Sequence, residues 1–145
     1  MQPIAFTPAI PPGSTVLITG VNGFIGSHIA DQFLKYGYNV RGTSRDPKKH
    51  TWLCTLFDKV YGTGRFELAS VPDMEASGAY DESVKVVHPA TKYSMNPDPY
   101  KVVPGALAGV QNALTAAAKE PSVKRFVLTS SSAAALIPRP DERSQ

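Results

Sequence analysis

One cysteine, Cys54, stands in the 145 residues, so no disulfide can form within the chain. A lone thiol fits a reducing compartment, and a cytoplasmic location is expected. No Cys/His spacing resembles a zinc site, so no metal centre is expected. Uninterrupted apolar runs fall far short of the roughly 20 residues that cross a bilayer, which excludes a membrane helix. The opening stretch MQPIAFTPAIPPG has neither a basic n-region nor an uninterrupted apolar h-region and reads against a signal peptide. Lys/Arg blocks long enough for a nucleic-acid surface are also missing. The formal net charge of +3 suits an anionic small ligand without one. What is present is a 42% hydrophobic, 19% charged composition of single-domain length. Compactly folded, such a chain buries roughly 68–70% of its unfolded surface.

The Pro-rich residues 1–13 predict an extended arm, with the domain proper at 14–145. Thr15 to Thr19 is a run of β-formers with no polar alternation, as expected of a strand buried on both faces. After the turn GVNG, Phe24 to Tyr36 carries Ile25, Ile29, Phe33 and Leu34 at helical spacing and stops at Gly37. Asn39 to Ser44 predicts a second strand, Pro47 to Tyr61 a helix, and Arg65 to Ala69 a third strand. A short helix over Gly78 to Val84 and a fourth strand over Lys85 to His88 are expected next. Leu107, Val110, Leu114, Ala117 and Ala118 form another helical stripe, ended by Pro121, and Arg125 to Thr129 predicts a fifth strand. Alternating strands and helices predict an α/β fold, a doubly wound parallel sheet with helices on both faces. Ligands of such sheets lie beyond the carboxyl ends of the strands. The segments ending there are GVNG, SRDPKK, ASVPDM, HPAT and TSSSA.

TGVNGFIG sets Gly20, Gly23 and Gly26 three apart between a buried strand and an amphipathic helix. Gly20 permits the tight turn, Gly23 lets the backbone approach a phosphate, and Gly26 lets the helix pack on the sheet. Glycines that serve only the turn are the plainer alternative. In this strand–turn–helix setting the pattern points to nucleotide binding. A NAD-preferring site places Asp or Glu about 20 residues further on, against the ribose 2′-OH. Here the second strand runs into Arg45, followed by Asp46, Lys48 and Lys49. Arg45 is expected to clasp a 2′-phosphate with Lys48 adding charge and Asp46 facing away, which favours NADP(H). A solvated basic loop is the alternative.

TGVNGFIG, the SRDPKK loop, GAYDESVK and AAAKEPSVKRFVLTSSS together resemble the extended short-chain dehydrogenase/reductases of the NAD-dependent epimerase/dehydratase superfamily. Among these the chain is most similar to fungal NADPH-dependent aldehyde and ketone reductases and their plant dihydroflavonol-type relatives. The resemblance implies a Rossmann domain of sheet order 3-2-1-4-5, incomplete after about the fifth strand, with the substrate domain absent. It implies NADP(H) as cofactor and a small carbonyl or alcohol substrate. Gly20, Gly23, Phe24, Ile25 and Gly26 would line the pyrophosphate, Arg45 and Lys48 would take the 2′-phosphate, and Asp73 would sit near adenine. Ala90 and Thr91 would touch the ribose side. Thr129 and Ser130 would lie by the nicotinamide ribose, and Ser131 would be the catalytic serine that donates to the substrate oxygen as charge develops there.

The family's proton donor is a Tyr with a Lys four residues later. None of the six tyrosines here has that partner: the residues four places on are Val40, Gly42, Arg65, Val84, Pro97 and Pro104. The segment before His88 also lacks the family's Gly-containing turn, and Pro89 follows where a ladder donor is expected. The leading expectation is therefore the N-terminal half of an NADP(H)-dependent carbonyl reductase. The alternatives are a non-catalytic NADP(H)-binding module and an inactive fragment. An uncovered fifth strand, RFVLT, next to the apolar Ala133 to Ile137 predicts self-association through that edge.

Overall fold

Thr15–Ile18 (β1) carries no polar alternation because both of its faces are covered: Val16 and Ile18 are 0% exposed and Leu17 5%. The computed structural model, which describes residues 8–81 and 96–132, continues with Phe24–Lys35 (α1), Asn39–Ser44 (β2) and a 3-10 turn at Pro47–His50. Thr51–Tyr61 (α2), Phe66–Ser70 (β3) and Pro99–Lys119 (α3) complete the regular elements. The three strands form one parallel sheet in the order β1-β2-β3, with Ile18 opposite Gly42 and Ser44 opposite Ser70. This is the strand arrangement of a Rossmann-like parallel sheet.

Side chains two apart on the strands share a face. Val16, Ile18, Val40 and Phe66 point to one side and pack with Ala30 and Leu34 of α1 and Leu53 and Phe57 of α2. Each such burial stabilises by roughly 1.5–3 kcal/mol. Phe57 meets Phe66 edge-on with ring centroids 4.8 Å apart, which seats α2 on β3. Tyr61 donates to Asp31 at 2.5 Å and ties α2 to α1; that bond raises the Tyr61 pKa. On the opposite face Arg41 pairs with Glu67 across the β2–β3 ladder at 2.6 Å, a partly exposed contact worth about 0–1 kcal/mol.

Helix ends follow local chemistry. The Tyr38 N–H returns to the Phe33 carbonyl and the Gly37 N–H to that of Leu34, a Schellman closure that the φ of +88° at Gly37 permits. Asp46 caps the 3-10 turn by accepting from the Lys48 N–H, and Asp98 caps α3 by accepting from Tyr100. The arm is tied down from Ile10 onward: the Ile10 carbonyl accepts from Tyr38 Oη at 3.1 Å, and Gly13 N–H bonds the Gly37 carbonyl at 2.8 Å.

Four expectations need correction. The buried face of α3 is Gly109, Ala113, Ala116 and Ala117, whereas Leu107 and Leu114 are 55% and 50% exposed. The helix packs on Val71, Met74 and Tyr80 so closely that only small side chains fit between. In α1 the inward positions are Gly26, Ala30 and Leu34, and Ile25 is 57% exposed because the first turn projects past the end of the sheet. Gly78 through Asp81 forms turns rather than the start of a helix, with Ala79 N–H bonded to Ala76 O and Asp81 N–H to Gly78 O, and residues 82–84 of the expected helix lie outside the described residues. RFVLT runs as an extended segment with one bridge at Leu128, its Val127 and Leu128 each 47% exposed, while Phe126 packs on the second cluster. A fifth strand needs a fourth beside it, and the expected Lys85 to His88 strand lies outside the described residues, as do Ala90, Thr91 and Ala133 to Ile137.

Tyr80 closes the second cluster at 1% exposure, and burial pushes its phenol up to about 12. The folded chain holds that proton more tightly than the unfolded one, whose tyrosine titrates near 10. Stability is therefore fully present below about pH 10 and is lost as pH rises from about 10 to 12, and Tyr61 acts in the same direction. Tyr80→Phe should flatten this alkaline loss, read as a smaller fall in urea midpoint between about pH 9 and about pH 11.

Candidate functional site

The carboxyl ends of β1, β2 and β3 open into one groove of about 910 Å³. Its floor is the glycine turn and the start of α1, residues 19, 20 and 22–26. One wall is Thr43, Ser44 and Arg45 at the exit of β2, and the other is Val71 to Glu75 beyond β3, with Tyr80 behind it.

The turn is built by glycine at two positions for two reasons. Gly20 adopts φ +61°, a left-handed conformation that other residues enter only with strain. Its N–H donates to Thr43 Oγ1 at 3.4 Å and the Val21 N–H to the Thr43 carbonyl at 3.1 Å, so β2 holds the turn from the side. At Gly26 a Cβ would run into the Gly20 carbonyl oxygen and come within 2.9 Å of Val21 Cα. Gly23 differs: its φ is −85°, open to any residue, and a Cβ would meet only the Gly20 oxygen at 3.3 Å. A Cβ there would crowd one backbone oxygen by a few tenths of an ångström, far less than at Gly26.

Gly23 is the N-cap of α1 and supplies no side chain to cap it, and no acidic residue stands in the first turn. The first bond of the helix runs from Ser27 N–H to Gly23 O at 2.9 Å. The N–H groups of Phe24, Ile25 and Gly26 thus precede the intrahelical ladder at the positive end of the helix dipole. Phe24 is 81% exposed at the same end, its ring 4.5 Å from that of His28.

Charge is distributed unevenly around the groove. Arg45 is exposed on the β2 wall and, among the described residues, makes no hydrogen bond or ion pair. Asp46 is turned to its own loop, accepting from Lys48 N–H at 3.2 Å and pairing with Lys49 at 3.5 Å, so it adds no carboxylate to the wall. Lys48 is exposed and lies outside the groove lining. The β3 wall carries Asp73 and Glu75, and Asp73 Oδ1 accepts the Glu75 N–H at 2.9 Å. Cation and helix dipole face one side, carboxylates the other.

Of the residues expected from sequence, Gly20, Gly23, Phe24, Ile25, Gly26, Arg45 and Asp73 come together in this groove. Thr129, Ser130 and Ser131 are exposed at the end of the segment after α3 and do not line it. Asn22, Thr43, Ser44, Val71 and Tyr80 had no individual role from sequence, although Asn22, Ser44 and Val71 lie in the strand-end segments GVNG, SRDPKK and ASVPDM. The first four were within reach of the strand-exit rule applied to every residue, but Tyr80 joins the wall only through folding of the chain after β3.

With this geometry, a sequence pattern of the NAD dependent epimerase/dehydratase family matches residues 16–144. The chain belongs to that family. It is 51% identical over 136 residues to aldehyde reductase 2 of Sporidiobolus salmonicolor, covering 91% of this chain and 39% of that protein. It is 47% identical over 137 residues to the ketoreductase adrE of Penicillium rubens, covering 89% of this chain and 40% of that protein. Among solved structures it superposes on the yeast methylglyoxal/isovaleraldehyde reductase Gre2 complexed with NADPH, with a TM-score of 0.71 and 32% identity over 83% of this chain and 38% of that one. Gre2 of Candida albicans in complex with NADPH gives 0.72 and 32% over 86% and 38%. The chain spans about two fifths of the length of these relatives.

The Gly26 contact is with backbone, which cannot move aside. Gly26→Ala should destabilise the fold by about 1–3 kcal/mol through overpacking. Gly23→Ala should change stability by less than about 1 kcal/mol. Paired thermal and urea unfolding curves check the contrast.

Proposed function

We propose that this chain is the NADP(H)-binding domain of an aldehyde or ketone reductase. The observation that carries the reading is the uncapped start of α1 behind Gly20, Gly23 and Gly26, with the uncommitted Arg45 across the same groove. These residues fit the group. The amides of Phe24, Ile25 and Gly26 would hold the pyrophosphate, with Gly23 leaving room for its close approach. Arg45 would grip the 2′-phosphate, assisted by Lys48, and Asp73 would accept from the adenosine half. Ala90, Thr91, Thr129 and Ser130 are proposed to line the ribose and nicotinamide side. The relatives described as aldehyde reductase and ketoreductase, and the NADPH complexes of Gre2, support this reading.

When bound, NADPH supplies a hydride to the carbonyl carbon of a small substrate. The Ser131 hydroxyl is proposed to donate to the carbonyl oxygen as negative charge builds there. No tyrosine within these residues has a lysine four places on, so these residues supply no Tyr/Lys proton donor. Among the described residues no helix is long and apolar enough to cross a membrane. The lone Cys54 fits a cytoplasmic setting, and no nucleic-acid partner is proposed. Exposed Val127 and Leu128 support self-association through this segment, as a concentration-dependent mass in light scattering would show.

Calorimetric titration tests the cofactor. NADPH should bind more tightly than NADH by about tenfold or more, and Arg45→Ala should bring the two together by removing the charge-assisted bonds. Gly23→Ala should weaken both while leaving the fold intact. Equal affinities in the unmodified chain would overturn the NADP assignment. With NADPH and an aldehyde, the chain alone should show no reduction above background, because general acid catalysis contributes about 10²–10⁴-fold.

A further inference from the structure

Pro72 to Glu75 forms the β3 wall of the groove. Its internal restraint is the Asp73 to Glu75 turn at 2.9 Å, followed by the Ala79 to Ala76 turn at 3.1 Å. A tether comes from a helix far away in sequence. Asn112 of α3 donates from Nδ2 to the Met74 carbonyl at 3.0 Å and to the Ala76 carbonyl at 2.8 Å, on either side of Glu75. One amide nitrogen thus uses both of its hydrogens on the backbone of a single loop. With two carbonyl oxygens facing it, the nitrogen rather than the oxygen of the side chain must point that way.

The helix is shaped for this grip. Gly109 and Gly105 lie one and two turns before Asn112 on the same side. At Gly105 a Cβ would come within 2.8 Å of the Glu75 carboxylate, and at Gly109 within 3.2 Å of Met74 Sδ. The missing side chains let the loop lie against α3 at the distance the amide requires. We infer that Asn112 is a positioning residue of the nucleotide site: it fixes the Asp73–Glu75 wall against which the adenosine half of the dinucleotide binds. The inference rests on the nucleotide reading of the groove.

The two substitutions that test it remove donors without adding bulk. Asn112→Asp keeps the shape and replaces the NH₂ by an oxygen that repels both carbonyls, and Asn112→Ser shortens the side chain. In titrations of the full chain, each should raise the Kd for NADPH, for NADH and for 2′,5′-ADP by about tenfold or more. The NADPH/NADH ratio should stay as it is, in contrast to Arg45→Ala, which changes the ratio. Hydrogen exchange should accelerate at the Glu75 to Ala79 amides and not at those of β1 and β2. If Asn112→Asp does not fold, as judged by its melting curve, Asn112→Ser carries the comparison. Unchanged affinities in a folded variant, whatever its exchange, would overturn the positioning role and leave the nucleotide reading standing. Failure of the unmodified chain to bind any of the three ligands would overturn the nucleotide reading itself, and this role with it.

Discussion

The contact of Gly26 with the Gly20 carbonyl decides how the rest of the molecule is arranged. A helix can start this close to the end of a buried parallel strand only if no Cβ stands between them, and the Val21 backbone blocks any retreat. Once α1 is set there, its inward positions Ala30 and Leu34 fall on Val16 and Ile18, and the Schellman closure at Gly37 returns the chain into β2. β2 in turn holds the turn through Thr43. The core and the site are thus one construction. The approach that buries the sheet also aims the uncapped amides of α1 into the groove.

The electrostatics follow from which charges the local loops consume. Both Arg45 and Asp46 leave β2 at the groove, yet only the arginine remains available, because Asp46 is occupied as the cap of the 3-10 turn and in the pair with Lys49. An anion near α1 meets a helix dipole and a guanidinium, with no carboxylate on that wall. The carboxylates of Asp73 and Glu75 stand on the far wall, where hydroxyl and amino groups rather than phosphates are complementary. A groove with this polarity would orient a ligand that carries phosphate at one end and hydroxyl or amino groups at the other. The relatives described as aldehyde reductase and ketoreductase extend well past the region matched here.

Wall and floor are stabilised by different parts of the chain. The floor rests on neighbours in sequence, β1, its turn and α1. The β3 wall depends on α3, through the Asn112 amide and the small residues Gly105, Gly109 and Ala113 that bring the helix close. This is also why α3 turns its small face inward and leaves Leu107 and Leu114 exposed. Close approach to a loop backbone requires small side chains, whatever hydrophobic area larger ones would bury.

Local physics made much of this legible in advance. The bounds of β2 and the starts of β1 and α1 followed from β-branched runs, glycine stops and helical periodicity, and the glycine spacing with Arg45 located the floor and one wall of the groove. These signals act within a few residues, so one sequence suffices to read them. Tertiary structure decided what depends on distant partners. Ile25 belongs to the groove and not the core because of where the sheet ends. The stripe Leu107, Val110 and Leu114 looked like a core face by period, but period gives the spacing of a face and not what lies opposite it. Tyr80 joined the groove wall, and Asn112 met the Met74 carbonyl across 38 residues, only when the chain after β3 folded back on α3. RFVLT has the composition of a strand, yet a strand is defined by its neighbour, and no β-former can supply that by itself.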